Sequence, residues 1–167
     1  MKSVLVETDR LFMRPLKMSD LKVVCRLDMD PDVRSFFPEG ALSEGQVERE
    51  MQRNVGEWER WGYGIFAVFE QETGHFIGRV GFARLDTGVV EFGYLILKEH
   101  WGKGYATEAT QAILEWGFDN TELECVIGFA PMEHLASRRV LEKVGMVFTH
   151  TDFYQNIECG FYEIRKQ

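Results

Sequence analysis

Val90-Glu91-Phe92-Gly93-Tyr94-Leu95-Ile96-Leu97 runs on into Trp101-Gly102-Lys103-Gly104-Tyr105-Ala106-Thr107-Glu108-Ala109, and the reading of this stretch decides the fold. The apolar run from Val89 to Leu97 predicts a strand. From Gly104 the spacing changes, with Ala106, Ala109, Ile113, Trp116 and Gly117 on one face of a helix. Cys125 to Ala130 reads as a further short strand. Strand, helix and strand in this order predict a parallel crossover, because only a long connection can carry the chain back to the same end of a sheet.

Outward from this core, Tyr63 to Glu70 and Phe76 to Ala83 are strand-like runs. Glu72-Thr73-Gly74 and Asp86-Thr87-Gly88 separate the three runs, which predicts an antiparallel meander. Before them, Ser43-Glu44-Gly45-Gln46 fits a capping box. Val47, Met51, Val55 and Trp58 follow at spacings of four, four and three, the face of a helix. Arg10 to Leu16 reads as a first strand, and Ser19 or Asp20 caps a helix bearing Leu21, Val24, Cys25 and Leu27. Breaks at Asp30-Pro31 and Pro38-Glu39-Gly40 predict a loop or short helix with Phe36 and Phe37 in the core or lining a pocket. Downstream, Leu135 to Val144 is helical, with Gly145 as its C-terminal cap, and closing strands fall near Met146 to Phe153 and Gly160 to Arg165. The sum is a mixed α+β sheet with one parallel pair near its middle.

A chain of 167 residues, 45% hydrophobic and 13% aromatic, is long enough for one domain with a real core, and no repeat, linker or low-complexity tract divides it. We expect a single domain over 1–167. A net charge of -8 without a basic stripe argues against nucleic acid. The apolar runs fall short of a membrane span, and Met1 to Asp9 lacks the pattern of a signal segment, so a soluble cytoplasmic protein is expected. Cys25, Cys125 and Cys159 are odd in number and far apart, and His75, His100, His134 and His150 are scattered. Free thiols and no metal are expected.

The loop His100-Trp101-Gly102-Lys103-Gly104-Tyr105-Ala106-Thr107 carries the chemistry. Its glycines let the backbone bend tightly and approach a ligand. The free N–H groups of the first helical turn stand at the positive end of the helix dipole, which together make a pyrophosphate site. The alternative is a tight turn that needs glycine for conformation alone. A P-loop would need GxxxxGK[ST], and a dinucleotide fingerprint would need a small residue where Thr107 stands.

Val90 to Leu97 followed by Trp101 to Ala109 resembles the acetyl-CoA-binding motif of the GNAT acetyltransferases. Gly104 and Ala106 match that motif, and Trp101 replaces its Arg or Gln, as is usual in the RimJ/RimL-like branch. Thr8 to Leu16 resembles the opening of such chains, and Ala130 to Met146 resembles their last helix. The resemblance implies an α+β, GNAT-type mixed and mostly antiparallel sheet, with a central splayed parallel strand pair flanked by helices. It also implies acetyl-CoA as cosubstrate and transfer to a primary amine, with a protein N-terminus or a small amine as acceptor and a monomer or homodimer as the working form. A non-catalytic acyl-CoA sensor is the alternative.

The cofactor residues implied are Tyr94, Leu95, Ile96, Trp101, Gly102, Lys103, Gly104, Tyr105, Ala106, Thr107 and His134. His134 stands where the family commonly has Asn, and Leu141 where many members have a Tyr general acid. Ser137 is then the nearest hydroxyl able to protonate the departing thiolate, or a small residue that allows close helix packing. Glu91, in an apolar strand, is either the route for the amine proton or a structural carboxylate paired with Arg79 or Arg84. Gly93 marks a bulge or packs under an aromatic ring. Phe153 to Glu158, with Phe36 and Phe37, borders the acceptor site.

Overall fold

The computed structural model describes residues 3–167. Among them eight strands form one sheet in the order β1-β2-β3-β4-β5-β6-β8-β7. The strands are β1 (Val6–Glu7), β2 (Leu11–Pro15), β3 (Ile65–Glu70), β4 (Phe76–Arg84), β5 (Val90–Ile96), β6 (Cys125–Pro131), β7 (Val147–Tyr154) and β8 (Ile157–Arg165). The helices are α1 (Leu21–Asp28), α2 (Glu44–Trp61), α3 (Tyr105–Asn120) and α4 (Leu135–Lys143). The α+β class, the meander β3-β4-β5 and the parallel crossover β5-α3-β6 are as the sequence predicts. The short β1 was not expected, Tyr63 and Gly64 lie before β3, and β8 begins at Ile157, earlier than Gly160. The hairpin turn at Gln155 and Asn156, both with positive φ, is tighter than the polar segment suggests.

Each helix follows its sequence signals. Ser43 Oγ accepts from the Gln46 N–H and the Gln46 side chain accepts from the Ser43 N–H, closing the capping box of α2. Asp20 is the N-cap residue of α1, as the sequence allows, but its side chain makes no capping bond to that helix. Its carboxylate accepts from Nη1 and Nη2 of Arg14, at 2.9 and 2.8 Å, and from the Lys17 N–H. Burial pushes this carboxyl up, and the Arg14 hydrogen bonds outweigh it and hold the pKa below the usual range.

Two apolar layers sandwich the sheet. Ile113, Leu114 and Leu141 from α3 and α4 pack on Val80, Phe82, Phe92 and Val126 on one face. Val24, Leu27, Val47 and Met51 from α1 and α2 pack on Ile65, Ala67 and Leu95 on the other. Alternation along β5 therefore sends Phe92 and Tyr94 to the α3/α4 face and Glu91, Gly93 and Leu95 to the α1/α2 face.

The two inner strands do not run together for long. β5 keeps register with β4 from Arg84↔Val90 to Gly78↔Ile96. Its parallel register with β6 consists of Glu91↔Ile127 alone. β6 meanwhile stays on β8 through to Pro131↔Cys159. Beyond Glu91 and Ile127 the strands part, and the sheet opens between Tyr94–Ile96 and 129–131.

Candidate active site

The open ends of β5 and β6 each lead into a helix N-terminus, and the candidate residues gather there. After β5 a single 3-10 turn, Lys98–His100, hands the chain to Trp101. The Trp101 indole N–H donates to the Ile96 carbonyl at 2.8 Å, which ties the loop to the strand it leaves, while half the side chain stays exposed. Gly102 and Gly104 have φ of 74° and 80°, a region costly for a side chain bearing Cβ. Gly104 is the N-cap residue of α3, and no side chain caps this helix. Its first-turn N–H groups, from Tyr105 to Thr107, are left for a ligand, which fits a pyrophosphate.

The loop is braced from behind by residues that local pattern did not reveal. Arg10 donates from Nη1 to the Lys103 carbonyl at 2.8 Å and from Nε to Glu108 at 2.8 Å, and its guanidinium lies 4.4 Å above the Tyr105 ring. Thr8 donates to the same Glu108 at 2.7 Å. Tyr105 is buried, and its hydroxyl donates to Glu70 at 2.6 Å. Of the predicted cofactor residues, Tyr105 therefore offers only its backbone; its side chain is part of the brace.

At the opening, strand alternation decides which backbone groups are free. The Leu97 N–H bonds to the Ile77 carbonyl, and the Leu95 carbonyl faces Gly78, so both turn toward β4. Tyr94 and Ile96 turn theirs toward the opening, where β6 no longer pairs with them. The Ile96 carbonyl is held by Trp101, which leaves the Tyr94 backbone and the Ile96 N–H. Leu95, one of the predicted backbone contributors, is corrected on this ground: its carbonyl is committed to the sheet and its side chain to the α1/α2 core.

On the α3/α4 face the Tyr94 phenol, largely buried, meets Ser137 in the first turn of α4. Burial raises the phenol's pKa, and the neighbouring Ser137 hydroxyl partly offsets it. Leu141, where the family resemblance implies a Tyr in many members, is buried against Gly128. A phenol thus comes to this place from β5 instead of from α4.

Glu91 stands on the opposite face. The paired-carboxylate reading of Glu91 is corrected. Arg79 is bound to Asp28 at 3.0 Å, and Arg84 donates to the Tyr63 hydroxyl and lies over Trp61. Glu91 forms no salt bridge among the described residues, and burial raises its pKa, with Arg53 of α2 opposing. Gly93 marks no bulge, since β4 and β5 stay in register past it, and it lies under no ring, since nothing stands within 4 Å of the site of a Cβ. Its place beside Glu91 is empty space.

Around that space stand the loop between α1 and α2 and the β7-β8 hairpin. The Phe36 ring stacks on His134 with centroids 3.9 Å apart and planes 7° from parallel. Both phenylalanines are partly exposed, so neither belongs to the core. His134, immediately before α4, is held below the usual histidine pKa by burial. Tyr154 packs on Phe129 of β6 at 5.1 Å, while Phe153 points to the other face. The loop itself is fixed at its base by Asp28, which accepts from Arg34 at 3.1 Å and from Arg79 at 3.0 Å, all three largely buried.

Comparison with known proteins agrees with this geometry. Residues 10–147 match the family described as "Acetyltransferase (GNAT) domain". The uncharacterized N-acetyltransferase YnaD of Bacillus subtilis is 30% identical over 84% of this chain and 81% of its own length. The crystal structure of a GNAT-family acetyltransferase from Bacillus anthracis superposes with a TM-score of 0.83 at 26% identity, covering 98% of this chain and 99% of that one. A RimL ribosomal L7/L12 α-N-protein acetyltransferase in complex with coenzyme A, 14% identical, shares the fold, with a TM-score of 0.82 over 97% and 98% of the two chains.

Proposed function

This chain belongs to the GNAT acetyltransferase family and is an acetyl-CoA-dependent N-acetyltransferase, and from that premise we propose that it acetylates a primary amine by direct attack across the opening between β5 and β6. The observation that carries this reading is the placing of Glu91 and Ser137 on opposite faces of one gap. Acetyl-CoA supplies the acyl group as an activated thioester. The uncapped amides at the start of α3 take its pyrophosphate, and the free backbone groups of Tyr94 and Ile96 take the arm that enters the gap. The amine comes from the α1/α2 face, where Gly93 leaves room and Glu91 receives the proton directly or through water. On the other face Ser137, backed by the Tyr94 phenol, supplies a proton to the departing sulfur.

Direct attack fits the cysteines. Burial raises the pKa of Cys25, Cys125 and Cys159 alike, which disfavours the thiolate an acyl-enzyme would need. The acceptor is a protein N-terminus, as the name of the RimL neighbour says of that protein, or a small amine. The test is thiol release from acetyl-CoA across peptides with free N-termini, polyamines and amino acids, with mass spectrometry of both acceptor and enzyme. Thiol release that needs the amine and leaves the enzyme unacetylated is expected. Release without an acceptor, with acetyl on a cysteine, overturns direct attack.

A further inference from the structure

The two edges of the sheet differ. One ends in β1, two residues long, and the other in β7, eight residues that are all exposed. A long edge strand presents a row of unpaired backbone groups, and monomeric proteins blunt such edges with lysine, proline, brevity, charge or a bulge. Val147-Phe148-Thr149-His150-Thr151-Asp152-Phe153-Tyr154 has no lysine or proline and is long; it carries one carboxylate, Asp152, and one bulge, at Thr149. Val147 is 66% exposed and Phe153 69%, with Phe148 and Tyr154 near half.

The strand matches itself in reverse. Its register on β8 shifts between Phe148 and His150, so that Thr149 is an extra residue. Phe148, Thr151 and Phe153 lie opposite Tyr162, Gly160 and Glu158 on the α3/α4 face. Val147, His150, Asp152 and Tyr154 lie opposite Glu163, Phe161, Cys159 and Ile157 on the α1/α2 face. A second copy turned about a two-fold axis normal to the sheet at Thr151 pairs antiparallel with the first and keeps each face continuous. Thr151 then meets Thr151, and His150 meets Asp152. Beyond the extra Thr149 of either copy, Phe148 meets Phe153 and Val147 meets Tyr154. Every pair joins side chains from one face: threonine with threonine at the axis, histidine with carboxylate beside it and apolar with apolar beyond, and each unlike pair occurs twice. Without the extra residue the same axis would set Phe153 against Thr149.

We propose that the chain forms a two-fold homodimer by antiparallel pairing of β7 with β7, centred on Thr151. The occupant is a second copy because a foreign strand would not require apolar and charged positions that repeat in reverse order about one residue. The pairing makes a single sheet of both protomers and sets the Tyr154 side of the two acceptor faces next to each other.

Mass by sedimentation equilibrium and a cysteine cross-link test it together. The parent is expected at twice 19.4 kDa. The double variant Val147→Lys/Phe153→Lys, altered only at exposed side chains, is expected at half that mass with the far-UV circular dichroism of the parent, and with a melting temperature that no longer depends on protein concentration. Thr151→Cys should link to itself on mild oxidation, because directly opposed Cα atoms lie about 4.5–5.5 Å apart, within disulfide reach. The parent, with its three native cysteines, and Asn156→Cys at the hairpin tip should stay unlinked. A monomeric parent overturns the proposal. So does a dimer that keeps its mass with both lysines, or one in which Thr151→Cys fails to link.

Discussion

Glu91 shows how a single residue gains its chemistry from what does not surround it. Its pKa is raised because burial disfavours the charged form and only Arg53 opposes. A carboxyl whose folded pKa exceeds its unfolded one adds stability at low pH, and that stability is lost as pH rises through the folded value. Glu91→Gln should therefore leave the melting temperature at neutral pH unchanged or higher, whereas loss of a structural ion pair would lower it. Below the raised pKa the parent carboxyl is protonated and resembles the variant. Above it the variant should fall behind by ~10²-fold in kcat/KM, and the deficit should shrink again once the acceptor amine loses its own proton. A pH–rate profile of both proteins with one acceptor checks this, and parallel profiles would remove Glu91 from the proton route. On the other face Ser137→Ala should lower kcat while the Kd for coenzyme A, measured by calorimetry, stays near that of the parent. The sequence pointed to both residues, Glu91 as a carboxylate in an apolar strand and Ser137 through family resemblance. It did not reveal Tyr94 as Ser137's neighbour, because that contact joins a strand and a helix with a whole crossover between them.

At the scale of elements, the start of α3 is a helix terminus kept uncapped by its own sequence. Glycine at the N-cap position supplies no side-chain acceptor, and its φ of 80° aims the first turn outward. Gly104→Val should place a β-branched side chain in a conformation it resists and in the path of the phosphates. The expected result is a stable protein whose melting temperature no longer rises with coenzyme A. A full ligand-induced shift in the variant would mean that the phosphates bind elsewhere. This loop was legible in the sequence because glycine spacing is a local signal. Its brace was not, since Arg10, just before β2, and Glu70, at the end of β3, are remote from it in sequence.

For the whole molecule, a ligand that binds only the folded state stabilises it by mass action, so saturating acetyl-CoA should raise the melting temperature of the parent, while ATP and NAD should do far less. Stability also rests on a buried charge cluster that ties the loop between α1 and α2 to the sheet. Asp28 accepts from Arg34 and Arg79, so Asp28→Asn would leave the buried Arg79 without its carboxylate partner and Arg34 with Glu39 alone, 3.7 Å away. A loss of about 3–5 kcal/mol in urea denaturation is expected, and a loss within about 0.5 kcal/mol, the scale of an ordinary surface change, would show that Asp28 is not their anchor. By itself the sequence determined the class of fold, the order of its elements, the parallel crossover and the place of the phosphate loop. Those follow from periodicity, glycine and caps, each written within a few neighbouring residues. Only the tertiary structure decided which face Glu91 occupies, that Arg79 serves Asp28, that Gly93 borders a space, and that Phe36 closes on His134. These depend on strand register and on the point where β5 leaves β6, and register is set by packing between segments far apart in the chain.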